Sequence, residues 1–569
     1  MKRIIAIILA FMMVLSLTAC GIQKDAEVSD IRVYKNGKIY TANTEREYVT
    51  AFVIENGKFI YVGDDEGAAS YEKGLSAKNI VDLNGASVTP GLIEGHTHFS
   101  FMAVMHSLDY EELTATTDKE ENLRQIREFV DAHPDYDQYV IGNFSQVLDM
   151  DASDLDRICA DKPLICIGMG LHCGYVNSKF LENGNITKDS PDAVPGQSYY
   201  VRDEEGNPTG KIVELPQTWD AFQKAVKLDE AKVREALLYM QELYHSYGFI
   251  GIADGGFLGI DDFFILDEYK SLEDAGELEM VVSTASIWYG SNISSIDEIR
   301  ERALSEKEKY TSELIHPGTV KMWADGTLGA LSALLREPYD VKSDKPVYGA
   351  ELTTLEDLIA CAQMCKDNDL NCHLHAIGDK AIENVLTSYE TVGKSTGTQS
   401  LVHFEISSPD LIERASKIDG LIINMTPEWN TPLVAEEVDV VGERRNTFGL
   451  FKETMDAGIT VNFGADSNGD AYFWNPKINI ACAMLRDPNA EVTLLKGNSA
   501  TYEECIDAYT INVAKERRID NEYGSIEVGK NADFVIWSTD MAEMTSTADL
   551  PNICASKVFF KGEQVYACE

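Results

Sequence analysis

From about residue 90 to residue 515 the chain alternates short apolar runs with amphipathic stretches of helical period, and this alternation constrains the fold more than any other feature. The runs at 139–142, 164–167, 249–253, 279–283, 319–323, 371–375, 421–424 and 460–464 are of strand length. Stretches 230–247, 354–368 and 380–391 repeat their apolar residues as helices do. Strands alternating with helices predict βαβ units and a parallel sheet. A plain (β/α)8 barrel needs roughly 250 residues. The middle of this chain is longer, so a barrel here requires insertions, expected at 107–137 and 183–214.

The flanks have a different pattern. Strand-like runs surround Asn36-Gly37 and Asn56-Gly57 near the start, and Lys561-Gly562-Glu563 near the end. Asn-Gly between such runs predicts a hairpin, because a type I′ turn needs positive φ at both central residues. Both ends therefore make strands around a long middle. The economical organisation is a small β-sandwich built from 31–89 and 516–569, with the TIM barrel inserted as 90–515. Residues 21–30 are polar and read as a tether.

Ahead of the tether, Lys2 and Arg3 precede an apolar stretch that ends in Leu17-Thr18-Ala19-Cys20-Gly21. A basic start, a short apolar run and small residues before a cysteine predict a secretory signal. The segment through Cys20 resembles the bacterial lipobox, which implies lipidation of Cys20 and an exported protein anchored to the cell membrane. The run is short of the roughly 20 residues a spanning helix needs. A net charge of −45 repels nucleic acid and anionic headgroups. Ten further cysteines show no scaffold spacing. Cys361 and Cys365 share a helix face and are expected to pack as small apolar groups, with no bridge assigned.

The chemistry is concentrated at strand ends. Glu94-Gly95-His96-Thr97-His98 places two imidazoles two residues apart, hence on one side of a strand. His373 and His375 repeat the spacing, and His403 ends the next unit. Five of the chain's 10 histidines thus fall at three strand ends. Asp466 ends the last strand, and Lys321 sits inside an apolar one, where a cation is costly unless paired or modified. Active sites of such barrels lie at the C-terminal strand ends. Paired imidazoles there suit a divalent ion, zinc first.

The order His-X-His, Lys, His, His, Asp resembles the metal site of the amidohydrolase superfamily. The similarity is strongest to amidohydrolase family 3, the YtcJ-like and N-substituted formamide deformylase-like proteins. It is carried by TPGLIEGHTHF, KMWADGTLG, HAIGD, VHFEISSPD and GAD, and by HCGYVNS around His172. The resemblance implies His96, His98, Lys321, His375, His403 and Asp466 as ligands, with Lys321 carried as a carbamate bridging up to two ions. It implies hydrolysis of a non-peptide carbon–nitrogen bond in a small molecule. Asp466 is then the proton shuttle, and His403 or His172 steadies the developing oxyanion. His172, His373 and Trp323 are the expected substrate contacts; His373 lies outside the motif, and a place behind the ligands suits it equally. Phe99, Phe101, Tyr472 and Trp474 are further candidates for an apolar pocket wall.

Where the family often reads Gly-Ser-Arg-Thr, this chain has Gly329-Ala330-Leu331-Ser332, so an anion-holding arginine is missing. Two alternatives stand beside the amide hydrolase: a deaminase or cyclic-amide hydrolase of the same superfamily, and an inactive solute-binding lipoprotein. The last predicts a broken ligand set, and here the set is complete.

Overall fold

The computed structural model describes residues 31–114, 116–145, 148–168, 173–195, 198–257, 262–430, 438–466 and 475–486, together with 497–568. Eight parallel strands form the barrel: β1 (Leu92–Thr97), β2 (Phe249–Asp254), β3 (Val281–Ile287), β4 (Ile315–Trp323), β5 (Asn371–Ala376), β6 (Gln399–His403), β7 (Leu421–Met425) and β8 (Thr460–Phe463). Each pairs with the next in chain order. Helices Glu230–Ser246, Leu355–Asp367 and Asp379–Val392 lie where the helical period predicts them.

The seam between β8 and β1 is closed without a regular ladder. Asp466 N–H donates to the His96 carbonyl at 2.8 Å. A Cβ on Gly95 would lie 2.4 Å from the Phe463 carbonyl oxygen, and one on Gly464 would lie 2.5 Å from His96 N. Only glycine lets the two backbones approach this closely.

Two runs that the alternation places in the series, at 139–142 and 164–167, are strands of a different sheet. Tyr139–Phe144 and Leu164–Gly168 belong to a six-stranded mixed sheet inserted between β1 and β2. Val140, Ile165, Ile167, Val176 and Ile212 face the main core, whereas Tyr139, Ile141, Leu164, Cys166 and Tyr175 face a second core. A strand covered on both faces reads as a continuous apolar run, as barrel strands do. The barrel places are filled instead by β1 and β6.

Two further sheets are built from the ends of the chain, and one of them draws on both. The four-stranded one takes Arg32–Lys35, Ala51–Glu55, Lys58–Gly63 and Ile80–Asp82. The six-stranded one joins Lys38–Tyr40, Tyr48–Val49 and Ser87–Pro90 to Phe534–Trp537, Ala555–Phe560 and Glu563–Ala567. They share a core in which Phe52 meets Phe534 edge-on, centroids 4.8 Å apart, and Phe534 stacks on Phe559 at 4.3 Å.

The turns divide. Asn56 and Gly57 have φ of 51° and 76°, and Lys561 and Gly562 have 48° and 78°, as type I′ hairpins require. The hairpin expected at Asn36-Gly37 is absent. Its flanking strands lie in different sheets, and only Asn36 has positive φ. There the chain crosses between layers and packs Gly37 against Leu83.

Among the described residues no helix is long and apolar enough to cross a membrane, and Cys20 lies outside them. Cys361 and Cys365 are buried together with Cys372 behind β5.

Candidate active site

Six side chains predicted from the motifs meet at the C-terminal ends of β1, β4, β5, β6 and β8. His96 Nε2 lies 3.2 Å from Asp466 Oδ1 and 3.3 Å from Lys321 Nζ. His98 Nε2 is 3.5 Å from the same Asp466 oxygen, and His403 Nε2 is 3.8 Å from Asp466 Oδ2. The His375 and His403 rings are in edge contact, centroids 4.4 Å apart. Lys321 is fully buried, while a fifth of the Asp466 side chain remains exposed, so the aspartate marks the open side of the cluster.

Strand geometry explains this convergence. His96 and His98 are two apart on β1 and share a face. Register then aligns Trp323 with His375 and Ala376 with His403 along the barrel mouth. Gly255 keeps the wall thin: a Cβ there would come within 2.7 Å of the His96 ring and 3.1 Å of the His98 ring. His403, Phe404 and Asp466 all hold positive φ, at 79°, 51° and 48°. Left-handed backbone at non-glycine residues costs about 1–3 kcal/mol each and persists where surrounding structure imposes it.

The rings are aimed by partners that sequence reading left unassigned. His98 Nδ1 lies 3.3 Å from the Gly256 carbonyl. Asp254, at the end of β2, accepts from Ser100 N and Oγ at 2.9 and 2.6 Å and from Gly256 N at 3.2 Å, fixing that loop. His375 Nε2 faces the Gly326 carbonyl at 3.4 Å and Asp325 Oδ1 at 3.5 Å. Asp325 accepts from Leu334, Ile377 and Gly378 N–H groups, tying β4 to the loop after β5. Glu94 Oε1 accepts from His96 N at 3.1 Å and Ala465 N at 2.9 Å, clamping the barrel seam. Glu94 carried a signal like that of Lys321: a charged type inside an apolar run, two residues before a histidine.

The substrate contacts expected from the motifs divide. Trp323 is partly buried at the mouth, stacks on Tyr289 at 5.6 Å, and has Lys321 Nζ over its ring at 5.1 Å. His373 is fully buried, and both of its ring nitrogens are engaged behind His96, the alternative place the sequence offered. His172 lies outside the described residues, as do Tyr472 and Trp474. Phe99 and Phe101 are buried and pack edge-on against Tyr244 and Trp219. Sequence reasoning missed Trp429, whose ring stacks on His403 at 5.3 Å beside a small hollow lined by Glu405, Met425, Thr426 and Phe448.

Burial dominates the electrostatics. It holds His96 and His403 well below the usual imidazole range and brings His98 down to about 4, with Lys321 adding to the effect. These rings are therefore neutral near pH 7 and carry lone pairs. Burial also lowers Lys321 to about 7, against the opposing pull of Asp466, and raises Asp466 to about 7, against the pull of Lys321. A cluster of neutral imidazoles, one amine and one carboxylate is a set of cation ligands. His96, His98 and Asp466 place three donor atoms within 4.8 Å of one another. His403 Nδ1 is buried without a hydrogen-bond partner among the described residues. The donor set fits a divalent metal ion.

Comparison with known proteins gives the family. Residues 79–566 match the amidohydrolase family. The chain belongs to that family. Membership makes it a hydrolase and implies a divalent metal, whose donors the cluster above would fit. This amidohydrolase is 27% identical over 557 residues to the putative amidohydrolase YtcJ of Bacillus subtilis, covering 94% of this chain and 99% of that one. It is 22% identical over 557 residues to the N-substituted formamide deformylase of Arthrobacter pascens, covering 93% and 96%. A solved metal-dependent hydrolase from Pyrococcus horikoshii superposes with a TM-score of 0.71 at 23% identity, over 90% of this chain and 99% of that one. That likeness supports the barrel fold.

Proposed function

We propose that this amidohydrolase cleaves a non-peptide carbon–nitrogen bond in a small, neutral or cationic, partly apolar amide. The observation that carries the reading is the position of Asp466, in reach of three ligand histidines yet partly open to the mouth. His96, His98, Lys321, His375, His403 and Asp466 would hold zinc, as one or two ions, with Lys321 as a carbamate. A buried lysine brought down to about 7 has a neutral amine fraction at neutral pH, the form that combines with carbon dioxide. A bound divalent ion supplies an acidic water and a Lewis acid for the carbonyl. Asp466 takes the proton of the attacking water and delivers it to the leaving nitrogen. The water oxygen stays on the carbonyl carbon as the C–N bond breaks, giving a carboxylic acid and an amine. His403 faces the carbonyl oxygen as charge develops there. Trp323 offers an apolar wall.

Two features support a substrate without an anionic group: the net charge of −45, and Leu331 where the family often has an arginine. The relative from Arthrobacter pascens makes an N-substituted formamide the first compound to try. The test is a hydrolysis screen of formamides, amides, ureas and lactams with zinc-replete protein. Formamide or amide turnover is the expected result. Turnover confined to lactams or to deamination would move the chain to the alternative class, and turnover confined to esters would overturn the reading.

Cys20 is proposed as the lipid attachment site of an exported, membrane-anchored form. Palmitate labelling lost in Cys20→Ala is the expected outcome; unchanged labelling would refute it.

A further inference from the structure

The lower barrel interior, normally filled with apolar layers, is polar here. Thr319 of β4, His373 of β5, Ser400 of β6, Asn424 of β7 and Asn462 of β8 all point inward and are buried. The helix Ile511–Arg517 plugs this layer from below with Glu516 and Arg517. Glu516 is fully buried. Its Oε1 is 3.0 Å from His373 Nδ1 and 3.7 Å from an Arg517 guanidinium nitrogen, and its Oε2 accepts from Asn462 Nδ2. Arg517 reaches on to Thr319 Oγ1 and the Gly95 carbonyl, each at 3.3 Å. His373 Nε2 in turn lies 3.0 Å from His96 Nδ1.

We infer that Glu516 and His373 are positioning residues that set the tautomer of His96 and aim its Nε2 lone pair at the metal centre. This rests on the metal-site reading above. Glu516, paired with Arg517, accepts hydrogen bonds, and His373 Nδ1 lies 3.0 Å from its Oε1 and 2.7 Å from Ser400 Oγ. Where His96 meets the metal through Nε2, its proton sits on Nδ1 and is donated to His373 Nε2, 3.0 Å away, and the His373 proton then lies on Nδ1, facing Glu516 and Ser400. His96 Nε2 is left bare, facing Lys321 Nζ and Asp466 Oδ1. His98 achieves the same outcome with a backbone carbonyl, Gly256. His96 cannot, because its Nδ1 faces the barrel interior, where a side-chain acceptor had to be built. Partners of this kind typically contribute 10–100-fold to metal affinity.

Two measurements on the full chain test the relay. In ¹⁵N-histidine spectra of the metal-free protein, with His96 assigned by its loss in His96→Gln, the expected pattern is a proton on Nδ1. A proton on Nε2 of His96 would overturn the proposal, and this arm needs no relay variant to fold. In zinc competition against a chromogenic chelator, His373→Leu is expected to bind zinc 10–100-fold more weakly than wild type. His373→Gln, whose amide both accepts from His96 and donates to Glu516, should recover most of that loss. A folded His373→Leu with wild-type zinc affinity would sink the idea, as would a His373→Gln no better than the leucine variant. If the wild type bound no zinc at all, the hydrolase reading would fail, while the tautomer result would still decide the relay.

Discussion

Asp466 is placed by its neighbours more than by its own preferences. Its φ of 48° is unfavourable for a non-glycine residue, and its backbone is held to His96 while Ala465 is held to Glu94. Asp466→Asn keeps that framework but cannot carry a proton. Zinc content should stay near wild type while kcat falls about 10²–10⁴-fold; wild-type turnover would show that the base is elsewhere. Glu94 makes a sharper test of the framework. Burial raises its carboxyl to about 8, outweighing its backbone donors, so near pH 7 it is largely protonated and resembles an amide. Glu94→Gln should therefore change stability by less than about 1 kcal/mol, whereas Glu94→Ala strands two buried N–H groups at about 1–3 kcal/mol each. Equal urea midpoints for the two variants would contradict this clamp. Five of the six proposed ligand positions were legible as polar types at the ends of apolar runs, and Lys321 as a cation inside one. Glu516 was not: it lies 143 residues from His373, in a Lys-Glu-Arg-Arg stretch that reads as a solvated helix face.

At the scale of elements, period and length identified what each segment becomes but not which sheet it joins. The alternation predicted the barrel, yet strands covered on both faces look alike wherever they sit, so the inserted sheet was read into the same series. Asn36-Gly37 misled for a related reason: a turn signal names a local conformation, and partner choice is decided by packing. Helix Glu230–Ser246, which was legible, carries a pH test. His245 near its end is buried, with Nε2 3.0 Å from the Glu279 carbonyl, and burial lowers it to about 4 from an ordinary 6.5, although that carbonyl opposes the shift. A lowered histidine contributes stability that is present above pH 6.5 and lost as pH falls through about 4. Relative to His245→Gln, the wild type should lose up to about 3 kcal/mol across that window. Parallel urea-stability curves for the two proteins would rule this out.

On the scale of the whole molecule, one open cavity lies away from the chemistry. It holds about 830 Å³ between the sandwich and the barrel, lined by Arg46, Asp507, Asn512 and Lys515, and includes none of the ligands. It marks where two layers meet, and it sits beside the helix that carries Glu516 and Arg517. The meeting of those layers has a consequence for how the chain is made. Arg32 bonds to Gly562 and Glu563, some 530 residues later, and Phe52 packs edge-on against Phe534. During synthesis the early strands must wait, with apolar faces uncovered, until nearly the whole barrel has been translated. Closing so long a loop late makes the sandwich a latch that shuts only on a nearly finished chain. Chains halted before about residue 555 should carry a complete set of barrel strands and still be recovered in the aggregated fraction, which solubility of stalled or truncated products would check.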